Sequence, residues 1–245
     1  MLVIRAVIGS AALYANYARS EQPGDTAPSN AANAGDTLAP YRSAQYELGY
    51  KTELGALSLG AALFHMVRPF ALVGDDGVYA VHGQQRNNGI ELSAAGQLAP
   101  GLMVFGGATW LDPLLEHTRN PSTDDKQVVG VPRFQTSMLF DYTLPVHVEG
   151  MNAWAVSLGV HHTGQRAATT TNNSYADAYT TFDVGTRVSL NANGHPLILR
   201  LQLDNATNAH YWASLYPGSV NGGTSSDTAG LGIPRTLQAS VELDL

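Results

Sequence analysis

The chain has 245 residues, 44% of them hydrophobic and 13% charged, with a net charge of −7 and no cysteine. An acidic chain without a basic run argues against a nucleic-acid surface, and the lack of cysteine excludes disulfides and thiolate metal sites. No apolar run reaches the roughly 18 residues that a transmembrane helix needs.

Charge is about half its usual share, and Gly, Ser, Thr, Asn and Ala fill the gap, with 25 glycines. This composition suits strands that carry small neutral polar groups on one face. The N-terminal segment, MLVIRAVIGSAALYANYARS, holds a single arginine, Arg5, ahead of its last few residues, and shows no small-x-small cleavage site, so no signal peptide is read there. The first strand is placed instead at Ala11–Ser20, where Leu13, Ala15 and Tyr17 alternate with Tyr14, Asn16 and Ala18.

Nine more strands follow without a helical period between them. Ser43–Glu53 sets Tyr46, Leu48 and Tyr50 against Glu47, Gly49 and Lys51. Leu57–Arg68 comes next, then a strand that begins near Val78 and is clearest at Ile90–Leu98, then Leu102–Trp110. In Arg133–Leu144, Phe134, Met138, Phe140 and Tyr142 oppose Gln135, Ser137 and Asp141. Trp154–Gly164 and Thr181–Leu190 precede a last pair, which starts at His195 and runs out to Leu245. There Leu197, Leu199, Leu201 and Leu203 share one face, as do Leu237, Ala239, Val241, Leu243 and Leu245.

The connections separate into two kinds. Leu54–Ala56, Ala99–Gly101, Pro145–Ala153 and Asn191–Gly194 are short and hold turn residues. Glu21–Arg42, Pro69–Gly77, Asp112–Pro132, Gln165–Tyr179 and Ala209–Gly230 are longer, and the two kinds alternate. Outer-membrane barrels have short periplasmic turns and long external loops, whereas a soluble sandwich has no reason to sort its loops in this way. An open sheet in lipid would also leave unpaired main-chain groups along its edges, each costing several kcal/mol. The strands therefore either close into a small barrel or belong to a larger one.

The strings LYANYARSEQPG from Leu13, PYRSAQYELGYKTEL from Pro40, GQQRNNGIELSAAGQLAPGL from Gly83 and GVPRFQTSMLFDY from Gly130 stand in the order of a known family. LQLDNATNAHYWAS from Leu201 and GIPRTLQASVELDL from Gly232 continue it. The chain resembles the C-terminal part of TonB-dependent siderophore receptors, in particular the ferrichrome and hydroxamate branch. The resemblance implies an all-β fold, an antiparallel transmembrane β-barrel represented by about its last ten strands of ~22. It implies a place in the bacterial cell outer membrane, among its lipids, with a ferric siderophore as transported ligand and no cofactor. Neither a plug domain nor a TonB box is read in the sequence, so contact with the TonB complex is expected only through parts outside these strands. The expectation is a truncated receptor segment that does not transport alone. The alternatives are a complete ten-stranded barrel acting as an enzyme or adhesin, and a soluble β-rich binding module.

Candidate ligand contacts are the aromatics of the external loops: Tyr211, Trp212 and Tyr216 in HYWASLY, and Phe70 and Tyr79 beside the GDDG turn. The competing reading for Tyr211 and Trp212, and the preferred one, is an aromatic girdle at the lipid–water boundary. Trp110 also reads as girdle, and Phe70 and Tyr79 read first as loop packing. Adjacent His161 and His162 must point to opposite faces and cannot chelate one metal together. An enzymatic barrel would need His82, His117, His210 and Asp112 to converge at the rim, and no catalytic residue is assigned. Asp75/Asp76 and Asp124/Asp125 read as solvated loop charge, and Arg133 and Arg235 as partners of nearby carboxylates at the external mouth.

Overall fold

The computed structural model describes residues 2–192, 194–216 and 228–243. Its strands are β1 (Leu2–Ile8), β2 (Ala11–Gln22), β3 (Tyr41–Leu54), β4 (Leu57–Val73), β5 (Tyr79–Ala99), β6 (Leu102–Glu116), β7 (Phe134–Thr143) and β8 (Met151–Thr163). They continue with β9 (Arg166–Ala167), β10 (Tyr175–Ala176), β11 (Tyr179–Ala192), β12 (His195–Asp204), β13 (Trp212–Tyr216), β14 (Thr228–Leu231) and β15 (Thr236–Leu243). Eleven of them form one antiparallel sheet in chain order, from β1 at one edge to β15 at the other. The pairs β9–β10 and β13–β14 are small separate hairpins inside two of the long loops.

The sheet thus has one strand more than the alternation predicts. Strand β1 pairs in full with β2, from Leu2 opposite Tyr17 to Ile8 opposite Ala11, through a turn at Gly9, whose φ is +60°. It escapes a period-two reading because Val3 and Val7 share its second face with Arg5, so LVIRAVI shows no polar alternation. Strands β2 to β15 keep the directions inferred for ten strands. With eleven, the first and last run the same way, and they do not pair with each other. Self-closure would need a parallel seam, unlike the even, antiparallel barrels of bacterial outer membranes.

A second departure concerns Pro69–Gly77. β4 and β5 continue through most of this stretch and leave only 74–78 as a turn, shorter than the connection 144–150 on the opposite side. Pro69 is accommodated one residue before a bulge between Phe70 and Ala71, a place where a missing ladder donor is tolerated. The sorting of loops by side survives, but not as a strict rule of length.

Register assembles the alternating residues into two faces. Ile4, Ala15, Leu48, Leu63, Ile90 and Trp110 form a row across β1 to β6, each opposite the next. Phe182, Val160 and Met138, and Leu158, Val184, Leu203 and Leu237, continue this face across the later strands. Toward the long-loop end it is bounded by rings: Tyr17 on Tyr46 at 4.8 Å, Trp110 on Phe134 at 4.8 Å, and Phe134 near His162 at 5.6 Å. Tyr142 lies eight residues beyond Phe134 on β7, about 26 Å along the strand. At a strand tilt of about 35–45° that spans ~20 Å of height, within the ~25 Å of an apolar band between two girdles. The other face carries Glu47, Lys51, Glu91, Ser137, His161, Asp183 and Arg187.

Packed side chains gather above the sheet, in a crown built by the long loops. The end of β4 is sandwiched there. Ala71 and Val73 pack with Ala27, Ala31, Leu38, Tyr41 and Tyr79, while Phe70 and Leu72 pack with Leu115, Val128 and Val131. The loop 23–40 is fastened by Asn33, which accepts from the Tyr79 N–H at 2.8 Å and donates to the Tyr79 carbonyl at 3.1 Å. One Asp25 carboxylate oxygen accepts from both Tyr41 Oη at 3.1 Å and Tyr79 Oη at 3.3 Å.

Tyr79 therefore anchors the crown twice, by ring and by hydroxyl. Tyr79→Ala is expected to cost about 3–5 kcal/mol of local stability and Tyr79→Phe about 1–2 kcal/mol. Limited proteolysis within 23–40 reads both, and equal cleavage in wild type and Tyr79→Ala contradicts the anchor. Burial first, then the Asp25 charge, raises both phenols above their ordinary value of 10.0. Because the folded pKa is the higher one, this contribution is complete below pH ~10 and is lost as pH rises beyond it, where unfolded phenols ionise first. A tyrosinate absorbance titration should show these two ionising late, together with release of 23–40.

Candidate functional site

The loops 117–133 and 164–178 and the described stretches 205–216 and 228–235 meet at the long-loop end of the sheet. Asn172 ties the first two, accepting from the Gln127 N–H at 2.6 Å and donating to the Gln127 carbonyl at 2.9 Å. Asp124 does more than carry solvated charge, since its Oδ1 accepts from the Thr118 N–H at 3.0 Å and closes the turn of 118–124. Asp76 similarly accepts from the Val78 N–H at 3.0 Å.

Arg166 links the second loop to the third. It is 4% exposed, and its guanidinium donates to the Ala213 carbonyl at 3.0 Å and to the Trp212 carbonyl. It lies over the Tyr179 ring at 5.6 Å, and Tyr179 stacks on Tyr211 with centroids 4.0 Å apart and planes 23° from parallel. Cation, ring and ring form a column. Burial, then the neighbouring Tyr179, raises the Tyr211 phenol above its ordinary range and keeps it neutral.

The DNATN stretch sets where this column stands. Asn205 and Asn208 take left-handed φ values of 47° and 54°, which asparagine tolerates better than most residues. Asn205 donates its N–H to Asp183 Oδ1 at 2.8 Å and its side-chain amide to the Ala209 and Ile233 carbonyls at 2.9 and 3.0 Å. Asn208 accepts from the Arg235 N–H at 3.0 Å. Gly232 lies against the Tyr211 ring, where a Cβ would overlap the ring carbons, and its N–H donates to the Tyr211 carbonyl at 2.8 Å.

The expected aromatics part company here. Tyr179 shares the strand parity of Thr181 and Asp183, on the polar face, so Tyr211 stacked on it belongs to the inner side of the mouth and not to the girdle. Trp212 begins β13, is 45% exposed and faces the exposed Leu231 across the hairpin. Tyr216 ends β13, and its side chain lies outside the described residues. Phe70 and Tyr79 are 9% and 2% exposed and sit within the crown. Trp110 stands in the girdle row, as its sequence position suggests.

His161 and His162 do face opposite ways. His162 bonds Thr180 Oγ1 at 2.8 Å beside Phe134. On the polar face His161 Nδ1 stands 2.9 Å from the Ser137 hydroxyl, and its Nε2 stands 3.1 Å from an Asp183 carboxylate oxygen. This hydroxyl–imidazole–carboxylate row lies mid-ladder, where neighbouring main-chain N–H groups are committed to strand pairing, so it lacks the oxyanion donors of a hydrolase. Among the residues considered for an enzymatic rim, His82 and Asp112 have other partners. His82 abuts Gly74 near Asp76, while Asp112 accepts from Arg86 at 3.2 Å, with Arg133 at 3.9 Å.

A single sheet with one apolar face, one polar face and a loop crown at one end is a segment of barrel wall, and its sequence matches the TonB dependent receptor-like β-barrel family over residues 6–209. The chain belongs to that family. It is 32% identical over 238 residues to the ferrichrome receptor FcuA of Yersinia enterocolitica, covering 95% of this chain and 30% of the relative. It is 26% identical over 214 residues to the catecholate siderophore receptor Fiu of Escherichia coli, covering 83% of this chain and 28% of that one. The crystal structure of BauA, the ferric preacinetobactin receptor of Acinetobacter baumannii, superposes with a TM-score of 0.81 at 28% identity, over 98% of this chain and 35% of that one. The ferric yersiniabactin uptake receptor FyuA of Yersinia pestis shares the fold, with a TM-score of 0.75 at 19% identity over 96% of this chain and 35% of that one. The chain thus spans about a third of the length of these relatives, each of which is named as a receptor.

Sequence reasoning missed Arg166, Tyr179, Asn205 and Gly232. The asparagine pair was a readable turn signal, whereas the cation–ring column depends on contacts between separate loops. Gly232→Val should push Tyr211 off Tyr179. Loss of the near-ultraviolet tyrosine dichroism with unchanged strand content is the expected result, and an unchanged near-ultraviolet spectrum would contradict this placement.

Proposed function

We propose that this chain is the C-terminal barrel segment of an outer-membrane ferric-siderophore receptor in TonB-dependent iron uptake, and that these strands alone do not transport. The observation that carries the reading is the open sheet. Its strands have the faces, girdle and loop crown of the family, yet β1 and β15 do not pair, so the eleven strands enclose no passage by themselves. Joined to further strands, the polar face lines the lumen and the apolar face meets outer-membrane lipid. Contact with the TonB complex belongs to other parts of such a receptor.

The external mouth is the place for first contact with the ferric siderophore. Tyr211 and Trp212 are the aromatics best placed to meet it, one from the inner side of the mouth and one from the exposed β13 hairpin. Flat rings suit the aliphatic stems and chelate faces of a hydroxamate-type ligand. Iron arrives already chelated, so no protein ligand to it is required. Phe70 and Tyr79 serve the ligand only indirectly, by holding the crown in shape.

The test is a hybrid in which these strands replace the matching part of the Yersinia enterocolitica ferrichrome receptor, expressed in a receptor-deficient strain. Growth on ferric hydroxamate is expected with the hybrid and not with this chain alone. A combined Tyr211→Ala and Trp212→Ala change should lower uptake without lowering the amount of hybrid in the outer membrane. Growth on this chain alone, or a hybrid that assembles without importing, would overturn the reading.

A further inference from the structure

On the polar face of β11 and β12, Arg187 and Arg200 are direct cross-strand partners. Like charges at such positions repel, and the preceding pair on the same face, Gly185 with Gln202, carries no charge. Each arginine is drawn outward by an acid on its far side: Arg187 donates to Asp141 on β7 at 3.1 Å, and Arg200 to Glu242 on β15 at 2.7 Å. The result is a line of acid, arginine, arginine, acid, whose middle is doubly positive.

Arg187 reaches Asp141 by passing over β8, which offers only Ala155 and Ser157 along this line. Small residues leave room above the strand. A cavity of about 380 Å³ opens beside the arginines, floored by Gly159 and Gly185, with Leu139 on one wall and the His161–Asp183 pair at its far end. The side chains of Arg187 and Arg200 are 45% and 44% exposed, so both guanidinium groups reach this space. A guanidinium has five N–H donors, and each of these gives one hydrogen bond to its carboxylate among the described residues. Gln202 is uncharged, and its amide donates to Asp204 at 2.6 Å.

We propose that the Arg187–Arg200 pair is an anion site on the lumenal wall that takes a carboxylate, held by the inward donors of both forks, with Leu139 against its carbon stem. The site depends on the polar face being lumenal, and not on the ligand recognised at the external mouth. The carboxylate can be that of a free small polycarboxylate or that of an acidic side chain on a polypeptide segment lodged in the lumen.

The experiment is a titration of this chain, folded in detergent micelles at low ionic strength with strand content checked by circular dichroism. Citrate and a hexaglutamate peptide are the two probes, read by calorimetry. Saturable binding that weakens with added salt is expected, reduced at least about tenfold in Arg187→Gln and in Arg200→Gln. Arg187→Lys, which keeps the charge but not the fork, should lose part of it. Arg5→Gln, on the same face at the far edge, should bind as wild type does. Tighter binding of the peptide assigns the site to a polypeptide carboxylate, and tighter binding of citrate to a free one. Failure of both probes to bind, or equal binding by wild type and the Gln variants, overturns the proposal. As a readout that does not rest on the variants, citrate should slow phenylglyoxal modification of Arg187 and Arg200 relative to Arg5. Equal rates with and without citrate also overturn it.

Discussion

A main-chain amide inside a bilayer has no water to bond with, and the sheet of this barrel-family chain has the backbone pairing that such a setting demands. Within the eleven-stranded sheet each strand between β1 and β15 is paired on both sides, so the ladder satisfies its N–H and C=O groups without help from side chains. The side chains are then free to divide between two solvents. Leucine, valine and rings go to one face and small polar residues to the other, and the pleat enforces the division residue by residue. Within that sheet β1 and β15 present the two open edges, and those edges are why it reads as part of a larger closed wall.

A wall one strand thick has no interior, which explains where the packed core lies. Among the described residues, the buried apolar clusters gather in the crown, around Tyr41, Tyr79, Phe70 and Leu115. Here, outside the apolar band, ordinary globular rules return: rings pack, and asparagine side chains replace missing ladder partners. Asn33, Asn172 and Asn205 do this in three different loops. The crown gives the mouth a defined shape, and the Arg166–Tyr179–Tyr211 column is one product of that shape.

Polar-face charges follow a different logic. They occur in pairs across neighbouring or next-nearest strands, as in Arg187–Asp141 and Arg200–Glu242. Such exposed pairs contribute little to stability, so their placement is better understood as setting the charge pattern of the lumen. Arg187 and Arg200 are the point where two like charges face each other across the ladder, with their acids on the far sides.

The sequence alone determined the strand class, the two faces and the four short turns between the ten strands it read. All of these rest on a period of two or on turn chemistry, which are local. It also carried the family strings, such as LDNATNAHYW, that name the barrel. Only the tertiary structure decided that LVIRAVI is a strand, because its alternation is hidden by valines on both faces and it is recognised by pairing with β2. Tertiary packing likewise carried β4 and β5 through Pro69–Gly77, buried Phe70 and Tyr79, and moved Tyr211 from the girdle to the inner mouth. Those outcomes depend on register and on contacts between loops far apart in the chain, and a pattern read from neighbouring residues contains no information about which distant residue stands opposite.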